Sequence, residues 1–215
     1  MDYLLHFLVD EKKRYFDRYL TLIRETAKAE TESLNAKAEE VRKIVKEKGL
    51  DPYEGEEHLA DLAYEVGEMA QLMQRSFVLS IFVSMEDIIT RLCRHIQKES
   101  KQSFSVTDLS GSGIGRSIKY LEKILGKPFP SNAEMKTRFE VAWKVRNALA
   151  HAGGVVDSGN RTMIETFISK NPTLLSIDKT SGEVEVSEEY AVSMVTLNEE
   201  ICNEVSKHWT SKDVF

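Results

Sequence analysis

The sequence lacks most of what would mark a secreted, fibrous or membrane protein. Its two cysteines, Cys93 and Cys202, are too few for a disulfide framework and cannot build a zinc site alone. Four prolines and eleven glycines exclude collagen-like and linker-like chains and leave too few turns for a many-stranded β-sandwich. No apolar run reaches the roughly 18 residues a membrane span needs, so no membrane association is expected. The opening Met1-Asp2-Tyr3-Leu4-Leu5-His6 has neither the basic start nor the apolar stretch of a signal peptide, and a cytoplasmic location is expected. His6, His58, His95 and His208 stand far apart and outside any ligand spacing, so neither a metal nor another cofactor is expected.

What is present is apolar material and charge. Hydrophobic residues make up 41% of the chain, enough for a core, and charged residues 30%, which argues for long solvated helix faces. The formal net charge of −6 hides an asymmetry. Residues 1–90 and 147–215 are acidic, whereas 91–146 carry a clear excess of Lys and Arg, among them Arg91, Arg94, Arg116, Lys119, Lys136 and Lys144. Clustered positive charge attracts phosphates even on an acidic protein. The alternative is that these cations decorate solvated helix faces and pair with the acidic thirds.

Periodicity predicts helices almost throughout. Tyr15, Tyr19, Leu22 and Ile23, then Val41, Ile44 and Val45, lie on one stripe of a long first helix that Gly49 and Pro52 end. Leu59, Leu62, Val66, Met69, Met73, Phe77, Ile81, Met85, Ile88, Leu92 and Ile96 recur in steps of three and four over 55–100, a second long helix expected to pack antiparallel on the first. A loop with Gly111, Gly113 and Gly115 leads into a short helix that Pro128 and Pro130 stop. Ser131-Asn132-Ala133-Glu134 reads as a capping box for the next helix, which Gly153-Gly154 closes. A short helix over 161–169 and a β-hairpin from 174–177 and 183–186 precede a last helix capped by Ser187. The expected fold class is all-α: a helical bundle in one domain over 1–215, with a long antiparallel helix hairpin and a small β-hairpin before the last helix.

Chemistry concentrates in Val145-Arg146-Asn147-Ala148-Leu149-Ala150-His151, at the end of a helix. Asn147 and His151 are four apart and share a face. Arg146 sits roughly 140° around the helix from His151 and about 7.5 Å along it, so the pair converges only if the arginine side chain reaches round or the helix tightens. A guanidinium grips phosphate in a bidentate fork and stabilises charge on its oxygens. An imidazole accepts or donates a proton near neutral pH. Alternatively, both groups merely satisfy the last carbonyls of the helix. The glycines at 111, 113 and 115 follow no strand and include no Gly-Lys-Ser/Thr, so they are expected to form a structural turn. Cys93 and Cys202 fall on apolar faces and are expected to be buried thiols, and Trp143 to be core beside the motif.

Arg146-Asn147 followed by three residues and His151, late in a helix, resembles the signature of the HEPN superfamily. Phe82-Val83-Ser84-Met85-Glu86-Asp87-Ile88-Ile89 is similar to that family's aromatic-and-acidic helix. Asp108-Leu109, the glycine turn and Tyr120-Leu121-Glu122 resemble the segment that follows it. The resemblance covers most of the chain from about residue 60, and 1–55 is placed only as a helix. It implies a homodimeric helical bundle acting as a metal-independent endoribonuclease, a toxin or antiviral defence effector cutting RNA by 2′-OH attack. Arg146 would hold the scissile phosphate, His151 act as general acid and base, Asn147 orient it and Glu86 support Arg146. Arg91, Arg94 and Lys144 would bind RNA, and an antitoxin or regulatory protein is a candidate partner. The alternative is a non-catalytic interaction or regulatory protein of the same fold.

Overall fold

A computed structural model describes residues 2–100, 103–111, 113–126 and 128–210, and the side chains among them except those of 2–9, 52, 54, 99, 100, 125 and 205–210. The side chains of Leu4, Leu5, His6 and His208, named above, lie outside the described ones, as does Met1. Among the described residues six α-helices and two strands follow in order: α1 (Asp2–Lys48), α2 (Pro52–Ser100), α3 (Gly113–Leu125), α4 (Ala133–His151), α5 (Ser158–Lys170), β1 (Leu175–Ile177), β2 (Val184–Val186) and α6 (Glu188–Thr210). The fold is all-α apart from the hairpin, as the periodicity predicts. No helix among the described residues is long and apolar enough to cross a membrane.

The chain forms two compact units, Asp17–Phe77 and the rest. Asp17–Phe77 is a two-helix hairpin. Gly49 takes φ +64° to end α1, and the amide of Tyr53 bonds Asp51 Oδ1 at 2.9 Å to start α2. The helices run antiparallel: Arg42 faces Glu56 at 3.9 Å near the turn, and Tyr19 meets Phe77 edge-on at 5.3 Å at the far end. Within this unit the apolar stripe is only half covered. Leu59 and Phe77 are buried, but Met69, Leu72 and Tyr64 are exposed.

In the other unit the stripe is fully used. Ile81, Phe82, Met85 and Ile89 of α2 are buried, together with Leu121 of α3 and Ile164 of α5. Helix α4 is the centre: it packs against α5, α6 and β2, and stacks Phe139 on Phe82 with ring centroids 6.1 Å apart. Arg138 ties it to Glu200 of α6 at 2.7 Å. Its start differs from the expected capping box. Asn132 is the cap, its Oδ1 accepting from the Met135 amide at 3.0 Å, while the Ser131 amide donates to Glu204 Oε1 of α6 at 2.6 Å. The Phe129–Pro130 bond just before Ser131 is cis.

The end of α4 is anchored as firmly. The Gly154 amide turns back to the Ala148 carbonyl at 2.9 Å, and Gly153 makes the reversal at φ +61°, a conformation costly for any residue with a Cβ. The chain then runs along β2: Val184 N donates to Gly154 O at 2.9 Å and Val156 N to Gly182 O at 3.2 Å. The hairpin, in register Leu175↔Val186 and Ile177↔Val184, thus braces the segment that follows His151.

Candidate active site

A cleft of about 490 Å³ opens at the C-terminal end of α4. Phe82 and Glu86 of α2, Gly113 of α3, Trp143, Arg146, Asn147 and His151 of α4, and Asp157 line it. Three consecutive supports bring these together: α2 below, the glycine turn into α3 on one side, and the braced chain after α4 on the other.

Arg146 does reach round the helix. Its Nη1 donates to Asn147 Oδ1 at 3.0 Å and lies 3.5 Å from His151 Nε2, at the long limit of a hydrogen bond. Its guanidinium stands over the Phe82 ring, 5.8 Å from the centroid, a cation–π contact. The enclosed Nε has no hydrogen-bond partner. Arginine has only donors, so His151 Nε2 can only accept in that contact. His151 is exposed and Arg146 and Asn147 are half-buried, so the pair faces an open cleft instead of being sealed inside.

The sequence reading assigned Asn147 to the imidazole; the structure joins it to the guanidinium. Glu86 lies in the same cleft but does not pair with Arg146; its Oε1 stands 2.9 Å from the position a Cβ at Gly113 would take. Arg91, Arg94 and Lys144 are not in the lining. Arg91 is bound to Asp87 of its own helix at 2.8 Å, Lys144 bonds Asn160 Oδ1, and Arg94 is on the surface of α2. Asp157 caps α5, accepting from the Asn160 amide at 3.1 Å, and the Asn160 side chain holds its carboxyl below the usual carboxylate range.

Asp157 was not expected at the site, and Trp143, expected beside the motif as core or as a stacking face for a base, is part of the lining. The indole forms a wall of the cleft; Trp143 sits three before Arg146 and four before Asn147, a helical spacing that signals the shared face. Asp157 is brought in by the reversal at Gly153, which sequence spacing does not reveal. Gly113 and Gly115, expected in a turn before the helix, instead lie in the first turn of α3, which starts at Gly113, and Gly115 is there for a specific reason. A Cβ on Gly115 would lie 2.5 Å from Trp143 Cη2, so only glycine lets α3 approach the indole. Among the described residues no three of His, Cys, Asp and Glu gather closely enough to hold a metal ion. Comparison with family models, curated proteins and solved structures found no match to this chain.

Proposed function

We propose that the protein is an endoribonuclease of the HEPN type, in which Arg146 and His151 cleave RNA in a site completed by a second copy of the chain. The observation that carries this reading is the convergence of the Arg146 guanidinium and the His151 imidazole, 3.5 Å apart, in an open cleft. Arg146 is pinned by Asn147 and Phe82 with donors still free for phosphate oxygens. His151 is exposed to the same space, and its Nε2 takes the proton of a ribose 2′-OH once a bound phosphate draws the Arg146 guanidinium away from it.

In the proposed reaction the 2′ oxygen attacks the adjacent phosphorus and the bond to the 5′ oxygen breaks, leaving a 2′,3′-cyclic phosphate and a free 5′-hydroxyl. The 2′ proton goes to one imidazole. The leaving oxygen needs a proton in return, and one histidine cannot be base and acid at once. The partner subunit's His151 supplies it, which makes the homodimer part of the chemistry. Arg146 stabilises the charge that builds on the phosphoryl oxygens. No step calls on a metal ion or another cofactor. A cytoplasmic toxin or defence effector, restrained by an antitoxin or another regulatory protein, fits such an activity. The test is single-stranded RNA incubated with purified protein and a chelator, beside a His151→Ala variant. The parent is expected to cut, and the variant to lose about 100-fold or more in rate, the ordinary contribution of a general acid–base group. Equal cleavage by both contradicts the proposal.

A further inference from the structure

A second groove, of about 400 Å³, lies on the other side of Trp143. This places it within the roughly 300–1,000 Å³ range of ligand sites. The indole is the wall common to it and to the cleft at Arg146 and His151. Three cations line the groove, Arg116 and Lys119 of α3 and Lys136 of α4, and none of them has a carboxylate within ion-pair distance among the described residues. The enclosed Nε of Arg116 has no hydrogen-bond partner. Of the two lining carboxylates, Glu122 already accepts the Phe129 amide at 3.2 Å, leaving Glu140 as the other. Arg91 pairs with Asp87 and Arg161 with Glu165, whereas these three cations gather on one groove beside the cleft with no such partner among the described residues.

We propose that this groove carries the sugar–phosphate backbone of a single-stranded RNA as it leaves the cleft, with Arg116, Lys119 and Lys136 on successive phosphates and a base against Trp143. The identity of the strand rests on the ribonuclease reading; the groove's preference for a polyanion rests on its own charges. A single strand fits because its bases can splay out and stack on an aromatic face, whereas a duplex keeps them stacked inside. Because Trp143 borders both, a strand that crosses the indole passes from the cleft to the groove. The same path also accounts for Gly115, which lets α3 bring Arg116 and Lys119 beside α4.

The experiment is a fluorescence-anisotropy titration of a labelled single-stranded RNA of about 12 nucleotides, a length in the range single-strand sites cover. It is run across a salt series on the full-length His151→Ala protein, so that binding is read without cleavage. Adding Lys119→Ala and Lys136→Ala is expected to lower the slope of log affinity against log salt by about 1.4, two phosphate contacts at about 0.7 each. Adding Arg91→Ala and Arg94→Ala instead is expected to leave the slope unchanged. Both lysines reach solvent, and circular dichroism checks that the variants fold. An unchanged slope without Lys119 and Lys136, or an equal loss without Arg91 and Arg94, overturns the assignment. So does displacement of the RNA by a glutamate-rich peptide more readily than by unlabelled RNA, which would give the groove to an acidic protein. A parent protein that binds with the expected slope but never cuts RNA contradicts the ribonuclease reading and upholds the groove.

Discussion

Arg146 and Asn147 are neighbours in sequence that point in different directions on an ideal helix, yet their side chains meet at 3.0 Å. The long guanidinium arm, steadied by the Phe82 face, makes this possible, and it also closes the roughly 140° gap to His151 that spacing alone leaves open. The same cleft depends on an atom that is missing: Gly115 has no Cβ, and Trp143 fills the space one would need. Gly115→Ala is therefore expected to destabilise the protein by about 1–3 kcal/mol, the usual cost of forcing extra atoms into packed surroundings, and to shift the tryptophan emission as the indole moves. An urea titration followed by fluorescence reads both. An unchanged midpoint and spectrum would contradict the packing described.

At the scale of elements, α4 carries the site, and its two ends are held by different means. Asn132→Ala removes the side-chain cap at its start and is expected to cost about 1 kcal/mol. Phe139→Ala opens a hole beneath its middle, between Phe82 and Trp143, and is expected to cost about 3–5 kcal/mol. Chemical denaturation of the two variants should rank them in that order; the reverse order would mean that α4 is held by its cap and not by its buried face. Most of this layout was legible in the sequence. The long helices follow from three- and four-residue spacing between Gly49, Pro52 and the glycine turn, and the hairpin from two short runs around Asp178–Gly182. The cap shifted by one residue because Ser131 finds a partner, Glu204, that lies far along the chain. The brace of Val155 and Val156 against β2 was hidden for the same reason: it is made by backbone groups, and any side chains could make it. Asp157 in the cleft is a consequence of that return.

On the scale of the whole molecule, the apolar stripe of α2 serves two different environments. Between residues 52 and 77 it is half covered by a single helix, and from 77 onward it disappears into a core. Sequence periodicity is the same in both stretches, so burial depends on how many neighbours each helix has, which periodicity does not encode. The core encloses both thiols, Cys93 and Cys202, and burial pushes each up to about 12 from an ordinary 9.0. Burial also raises the hydroxyls of Tyr120 and Tyr190. Folded groups with raised values resist losing their protons. Their contribution is complete below the ordinary thiol value of 9.0 and is lost as pH rises from there through about 12, because the unfolded chain ionises first. The denaturation midpoint is expected to fall over that alkaline window, and less steeply when both cysteines are replaced by alanine. A flat profile would mean that the thiols are accessible in the folded protein.

The central claim is that the imidazole and guanidinium at the end of α4 drive a 2′-hydroxyl onto the neighbouring phosphate. End-group analysis of RNA cut in the presence of a chelator tests it most directly, with one substrate carrying 2′-deoxyribose at the preferred cleavage position. Unmodified RNA is expected to give 2′,3′-cyclic phosphate and 5′-hydroxyl termini, with no cut at the deoxy position and cleavage at least about 100-fold slower by His151→Ala or Arg146→Ala. Cleavage at the deoxy position, or 5′-phosphate termini, would contradict the claim.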